Sequence, residues 1–177
     1  MDWDEQLFAL FDDLEQQAEA LYDAERDVEL TDRSRSEYAA VTLASRLMAS
    51  VDTPVTLQLQ GVGAVAGELR RVGDGWCLVH GAAQDWLVRL ASVIGVEGAS
   101  ERSVPEMAWS PVTRLGVGSA LRRLADAGER CVLHTVTGAT YDGVPVRVGR
   151  DFVEARVGEA RTVLVAFDRL AAVQSRR

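Results

Sequence analysis

Each of the chain's two histidines lies three residues beyond a cysteine, as Cys77-Leu78-Val79-His80 and Cys131-Val132-Leu133-His134. Two thiolates and two imidazoles suit a tetrahedral zinc ion. That chemistry needs all four side chains aimed at one point, and the spacing works against it. Both stretches read as strands, and in a strand residues i and i+3 face opposite sides. The two pairs also sit at different stages of an internal repeat: Cys131 matches Val55, whereas Cys77 matches Val153. A duplicated metal site would superimpose. The residues therefore imply two thiols at apolar, buried positions, with no metal and no cofactor.

Nucleophilic and phosphate chemistry find no better footing. Neither histidine lies near a Gly-x-Ser-x-Gly elbow. Gly116-Val117-Gly118-Ser119 faintly resembles a phosphate loop, but it has no Lys and no preceding strand, so it reads as the start of a helix. Carboxylates are plentiful over residues 1–30, with 11 acidic side chains against a single Arg26. Such a run is by default a solvated face. The sequence reads as non-enzymatic.

Charge divides the chain. Residues 31–177 carry 16 acidic side chains and 18 Arg, so a strongly acidic head precedes a nearly neutral body, and the net charge of −8 comes from the head. There is no Lys or Asn, and Ile94 is the sole isoleucine, which suggests a high-GC bacterial coding sequence. Apolar stretches fall short of the ~18 residues of a membrane span. The opening Met1-Asp2-Trp3-Asp4-Glu5 is acidic where a signal peptide is basic, so the expected location is cytoplasmic.

The head should be helical. Leu7, Leu10, Phe11, Leu14, Ala18, Leu21 and Val28 recur at three- and four-residue steps. Thr31 and Asp32 offer a cap for a second helix over roughly 32–50, whose stripe is Tyr38, Val41, Ala44, Leu47, Met48 and Val51. A helical hairpin fits. The series Leu7, Leu14, Leu21 and Val28 can instead drive self-association as a short coiled coil, and both readings stay open.

Beyond Pro54 the period changes to alternation, and an internal repeat begins. At an offset of 76, Val55 matches Cys131, Leu57 matches Leu133, Gly67 matches Gly143, Arg71-Val72-Gly73 matches Arg147-Val148-Gly149, and Trp76 matches Phe152. After a one-residue slip, Leu87-Val88 matches Leu164-Val165, Leu90 matches Phe167 and Val96 matches Val173. Each unit reads as a helix and five short strands: about 55–60, 63–72, 75–80, 85–91 and 93–97, then about 131–137, 140–148, 151–156, 161–167 and 171–175. Gly67 and Gly143 fall mid-strand, where a missing side chain permits a sharp bend. A small sheet bent this strongly is expected to close and so lose its edges. Ala91-Ser92 and Asp168-Arg169-Leu170 join the last two strands too tightly for a hairpin, which suggests a 3₁₀ turn.

A helix, a bent second strand with its central glycine, and a strand–3₁₀–strand ending resemble the Sm-like small barrel. PRC-type and other SH3-like barrels are close in shape. The resemblance covers roughly 38–97 and 117–175. The expected fold is α+β: an N-terminal helical hairpin followed by two tandem five-stranded Sm/SH3-like β-barrels, each preceded by a helix. The expected divisions are 1–50 for the acidic helical segment, 51–98 for the first barrel, 99–128 for a linker and helix, and 129–177 for the second barrel. Asp2-Trp3-Asp4, Leu43-Ala44-Ser45-Arg46-Leu47 and Trp109-Ser110-Pro111 also resemble a family of actinobacterial proteins from which no activity carries over.

The Sm-like resemblance implies RNA binding, for which Arg70, Arg71, Arg147 and Arg150 could touch phosphates. Sm-like uridine recognition relies on a loop Asn, and this chain has none. The basic excess is also far below a nucleic-acid footprint. A protein partner is favoured over nucleic acid, with a homo-oligomer possible and no membrane. Its contacts would be the same four arginines. Trp109, in the Pro- and Ser-rich linker, is either one more contact or tucked against a barrel.

Overall fold

The computed structural model describes residues 35 and 37–176. Compactness divides the chain into Met1–Val41 and Thr42–Arg177. In the first unit the described residues make a helical turn, with the Ala40 N–H donating to the Glu37 carbonyl at 3.3 Å and the Val41 N–H to the Tyr38 carbonyl at 3.0 Å. Leu7, Leu14, Leu21 and Val28 lie outside the described residues.

The expected N-terminal hairpin is corrected here, because its second arm is not one helix. The helix breaks at Val41–Thr42 and restarts as α1, Leu43–Met48. Thr42 causes the break. Its backbone is extended, its hydroxyl accepts the Ser45 N–H at 3.1 Å, and Ser45 Oγ accepts the Thr42 N–H at 3.1 Å. This reciprocal capping satisfies a new helix start at the expense of continuing the old one.

In the second unit, alternating apolar residues and turn glycines make ten strands. They are β1 (Pro54–Leu59), β2 (Gly63–Gly73), β3 (Trp76–His80), β4 (Asp85–Arg89), β5 (Val93–Glu97), β6 (Cys131–Thr135), β7 (Thr140–Val148), β8 (Phe152–Val157), β9 (Arg161–Ala166) and β10 (Leu170–Ser175). Between β5 and β6 runs α2, Val117–Ala127, which ends on left-handed Gly128. Short 3₁₀ turns at Leu90–Ser92 and Phe167–Arg169 precede β5 and β10.

The duplication is visible atom by atom. A bulge between Leu69 and Arg71 recurs between Pro145 and Arg147. The Gln60 N–H donates to the Ser92 carbonyl at 2.8 Å, and its counterpart at Val136 donates to the Arg169 carbonyl at 2.9 Å. A Cβ on Gly67 would overlap the His80 carbonyl, and one on Gly143 the Arg156 carbonyl. Both strands bend where no side chain stands in the way.

The expectation of two closed five-stranded barrels is corrected by the pairing. All ten strands form one open antiparallel sheet in the order β5-β1-β2-β3-β4-β10-β6-β7-β8-β9. In each half the fifth strand returns to the first, β5 onto β1 and β10 onto β6, which leaves the fourth strand's outer edge unsatisfied. β4 satisfies that edge on β10, with Trp86 opposite Gln174, Leu87 opposite Val173 and Val88 opposite Ala172. The sheet therefore runs on instead of closing. Ser175 Oγ accepts the Asp85 N–H at 2.8 Å, Ser92 Oγ donates to the Ala171 carbonyl at 2.9 Å, and the Arg89 guanidinium donates to the Phe167 carbonyl, which tie the seam further.

Two hydrophobic cores result. Leu57, Leu59, Leu69, Cys77, Val79 and Val88 lie in the first, with Leu47 of α1 over them. Cys131, Leu133, Val153, Phe167 and Val173 lie in the second, with Leu121 of α2. The seam strands feed both. No helix among the described residues is long and apolar enough to cross a membrane.

Candidate functional site

The side chain that organises the site is Trp76, at the start of β3. Its ring lies against Gly73, and its indole N–H donates to the Leu115 carbonyl at 2.7 Å. A bridge between Asp74 and Gly116 adds a second tie. Together they bring the stretch before α2 down onto the end of the β2–β3 hairpin. The outer face of α2 is held in place because Leu121, on its inner face, is fully buried in the second core.

A groove of about 490 Å³ runs between these elements. Its apolar lining comes from Trp76, Leu78 and Leu87 of the sheet, Val112 and Leu115 of the stretch before α2, and Leu124 of α2. Val112 is 58% exposed and Leu115 47%, so the groove presents apolar surface to solvent. Three guanidiniums, Arg70, Arg71 and Arg123, stand among these residues.

The three differ electrostatically. Arg70 sits 3.0 Å from Asp52 and 2.5 Å from Glu68, and the Glu68 hydrogen bond, followed by the two carboxylate charges, raises its pKa. Its charge is largely spent within the fold. Arg71 and Arg123 have no ion pair among the described residues, so the groove's net positive character comes from them. The lining holds no His, Cys, Asp or Glu, and Ser119 is its one hydroxyl. Such a surface can seat apolar side chains and pair with carboxylates.

The other sequence-derived residues do not gather here. Arg147, on β7, makes a bidentate pair with Glu154 of β8, at 2.9 and 3.0 Å, and the bond raises its pKa. Arg150 is exposed in the turn that follows β7. Trp109 is buried in the first core with its indole N–H donating to the Val104 carbonyl at 3.0 Å, and it borders a separate hollow with Met107 and Arg114. Arg123, Val112 and Leu115 escaped the sequence reading. The one signal was the loop-and-helix position of exposed apolar residues next to Arg122-Arg123.

The thiols lie apart. Cys77 is in the first core and Cys131 in the second, both unoxidised. Burial pushes Cys77 up to about 12, and burial with the nearby Asp142 carboxylate pushes Cys131 up to about 11. Each is held as the neutral thiol. His80 Nδ1 is 2.5 Å from Asp85 Oδ1, while His134 Nε2 is 2.8 Å from Gln174 Oε1 with its ring beside Trp86. No three His, Cys, Asp or Glu side chains cluster to hold a metal ion among the described residues.

No protein-family model matches this chain, and no curated protein matches it. The reading of the groove rests on its own chemistry.

Proposed function

We propose that this protein is a non-enzymatic cytoplasmic adaptor whose groove between β2–β4 and α2 takes a segment of a protein partner bearing apolar and acidic side chains. The observation that carries the reading is the juxtaposition of exposed Val112 and Leu115 with the guanidiniums of Arg71 and Arg123, which have no ion pair among the described residues. Apolar anchors supply most of the binding free energy at such surfaces, and rim charges select the partner and speed encounter. A lining without a general base or thiol supports binding over catalysis. Two free thiols in separate cores accord with a reducing compartment.

The nucleic-acid alternative draws less support. Arg70 and Arg147 are already matched by carboxylates, which leaves less free positive charge for phosphates.

Peptide display against the full-length chain tests the reading. Selected peptides should combine Leu or Phe with Asp or Glu, and Arg71→Glu with Arg123→Glu should weaken them by about tenfold or more. Selection of basic peptides, or displacement of the selected ones by single-stranded RNA, would count against it.

A further inference from the structure

The two free edges of the sheet are the counterparts of the two strands already joined at its seam. β4 is the fourth strand of the first half and β10 the fifth strand of the second. What remains unpaired among the described residues is β9, the fourth strand of the second half, and β5, the fifth of the first. We infer that β9 of one copy pairs antiparallel with β5 of another, in the register that β4 and β10 use within the chain.

Shifting the internal pairing by the repeat places Val165 opposite Gly95, Leu164 opposite Val96 and Val163 opposite Glu97. Exposure marks the same two strands. Leu87, in the internal seam, is 7% exposed, whereas its counterpart Leu164 is 62% exposed. Ala171 is fully buried, whereas its counterpart Ile94 is 73% exposed. Large apolar side chains thus stand on both free edges at positions that the seam buries.

Polar side chains follow the same shift. Within the chain, the Gln174 amide donates to the Gln84 side-chain oxygen across the seam. The counterparts of these two are Glu97 and Arg161, an opposite-charge pair on the diagonal of the shifted register. Neither is ion-paired among the described residues. The edges also carry no Pro, one of the residues that commonly block strand addition. Three bonds do not transfer: Ser175 becomes Gly98, Arg89 becomes Ala166 and Ser92 becomes Arg169. The seam between copies is therefore weaker than the internal one, and the assembly is reversible. Because the two edges differ, copies join head to tail.

Sedimentation velocity of the full-length chain, from about 10 µM to about 1 mM, reads the association directly. The weight-average mass should climb above the 19.2 kDa of one chain. Leu164→Arg and Ile94→Asp, on opposite edges, should each raise the dissociation constant by about tenfold or more. Glu97→Arg and Arg161→Glu should each weaken association alone and restore it when the two variants are mixed, since each then meets its opposite charge. A chain monomeric throughout the range overturns the inference. So does association that persists in both edge variants with unchanged circular dichroism, or that mixing fails to restore.

Discussion

Leu87 lies directly opposite Val173 across the β4–β10 seam, and both side chains are buried in the second core. Their chain neighbours Val88 and Ala172, also opposite each other, point the other way into the first core. Successive residues of a strand face opposite sides of a sheet, so this single pairing locks two cores together. The halves should then unfold as one. Leu133→Ala, in the second core, should cost about 2–5 kcal/mol. In urea it should advance the reactivity of Cys77, in the first core, by the same amount as that of Cys131. Labelling of Cys131 well before Cys77 would show the halves to be independent.

The bend in each half can be tested by a single methyl group. Gly67→Ala would push a Cβ into the His80 carbonyl, and Gly143→Ala would push one into the Arg156 carbonyl. Rigid backbone is the obstacle in both, so relief requires the strands to part. Each should cost about 1–3 kcal/mol by denaturant unfolding, and the double variant about the sum, since the sites share no neighbour. A neutral Gly67→Ala would mean that β2 and β3 are looser than their pairing implies.

The strands were legible because alternation and glycine placement are local. Leu57, Leu59 and Leu133 advertise the face they bury, and the match of Gly67 with Gly143 carries the bend from one half to the other. The seam was not legible by the same means. Alternation says which residues turn inward, and nothing in it says whether the outer edge of β4 closes within its own half or on β10. One clue was present: Leu170-Ala171-Ala172-Val173 is apolar without alternation, as a strand with both faces covered requires, and all four are buried. The groove was half legible. Arg70 and Arg71 could be named from the sequence, but Val112, Leu115 and Arg123 join them through tertiary ties: the bond from the Trp76 indole to a carbonyl 39 positions away, the Asp74–Gly116 bridge and the burial of Leu121.

That bond gives a further test. The second half places Phe152 against Gly149 where the first places Trp76 against Gly73, so a phenyl ring is tolerated at this place in the repeat. Trp76→Phe should keep the ring contact and lose the donor to the Leu115 carbonyl. A cost of about 1 kcal/mol is expected, with faster proteolysis across 111–116 and weaker capture of the displayed peptides. Unchanged proteolysis would mean that the Asp74–Gly116 bridge alone holds that stretch.

The buried thiols set a pH dependence whose sign is determined by burial. Both are held as neutral thiols in the folded chain, Cys77 up to about 12 and Cys131 up to about 11, against 9.0 for an ordinary thiol. Above pH 9 the unfolded chain releases these protons while the folded chain keeps them, so unfolding is favoured as pH rises. Their contribution is fully present below pH 9 and disappears as pH passes through about 11 and then about 12. Within that window each thiol removes up to about 1.4 kcal/mol per pH unit. Urea unfolding of the wild type and of Cys77→Ala with Cys131→Ala separates this from the tyrosines, which both chains retain. The double variant should start less stable and lose stability less steeply between pH 9 and 11. Parallel slopes would mean that the thiols are hydrated, and the two cores less tightly closed than the burial of these side chains indicates.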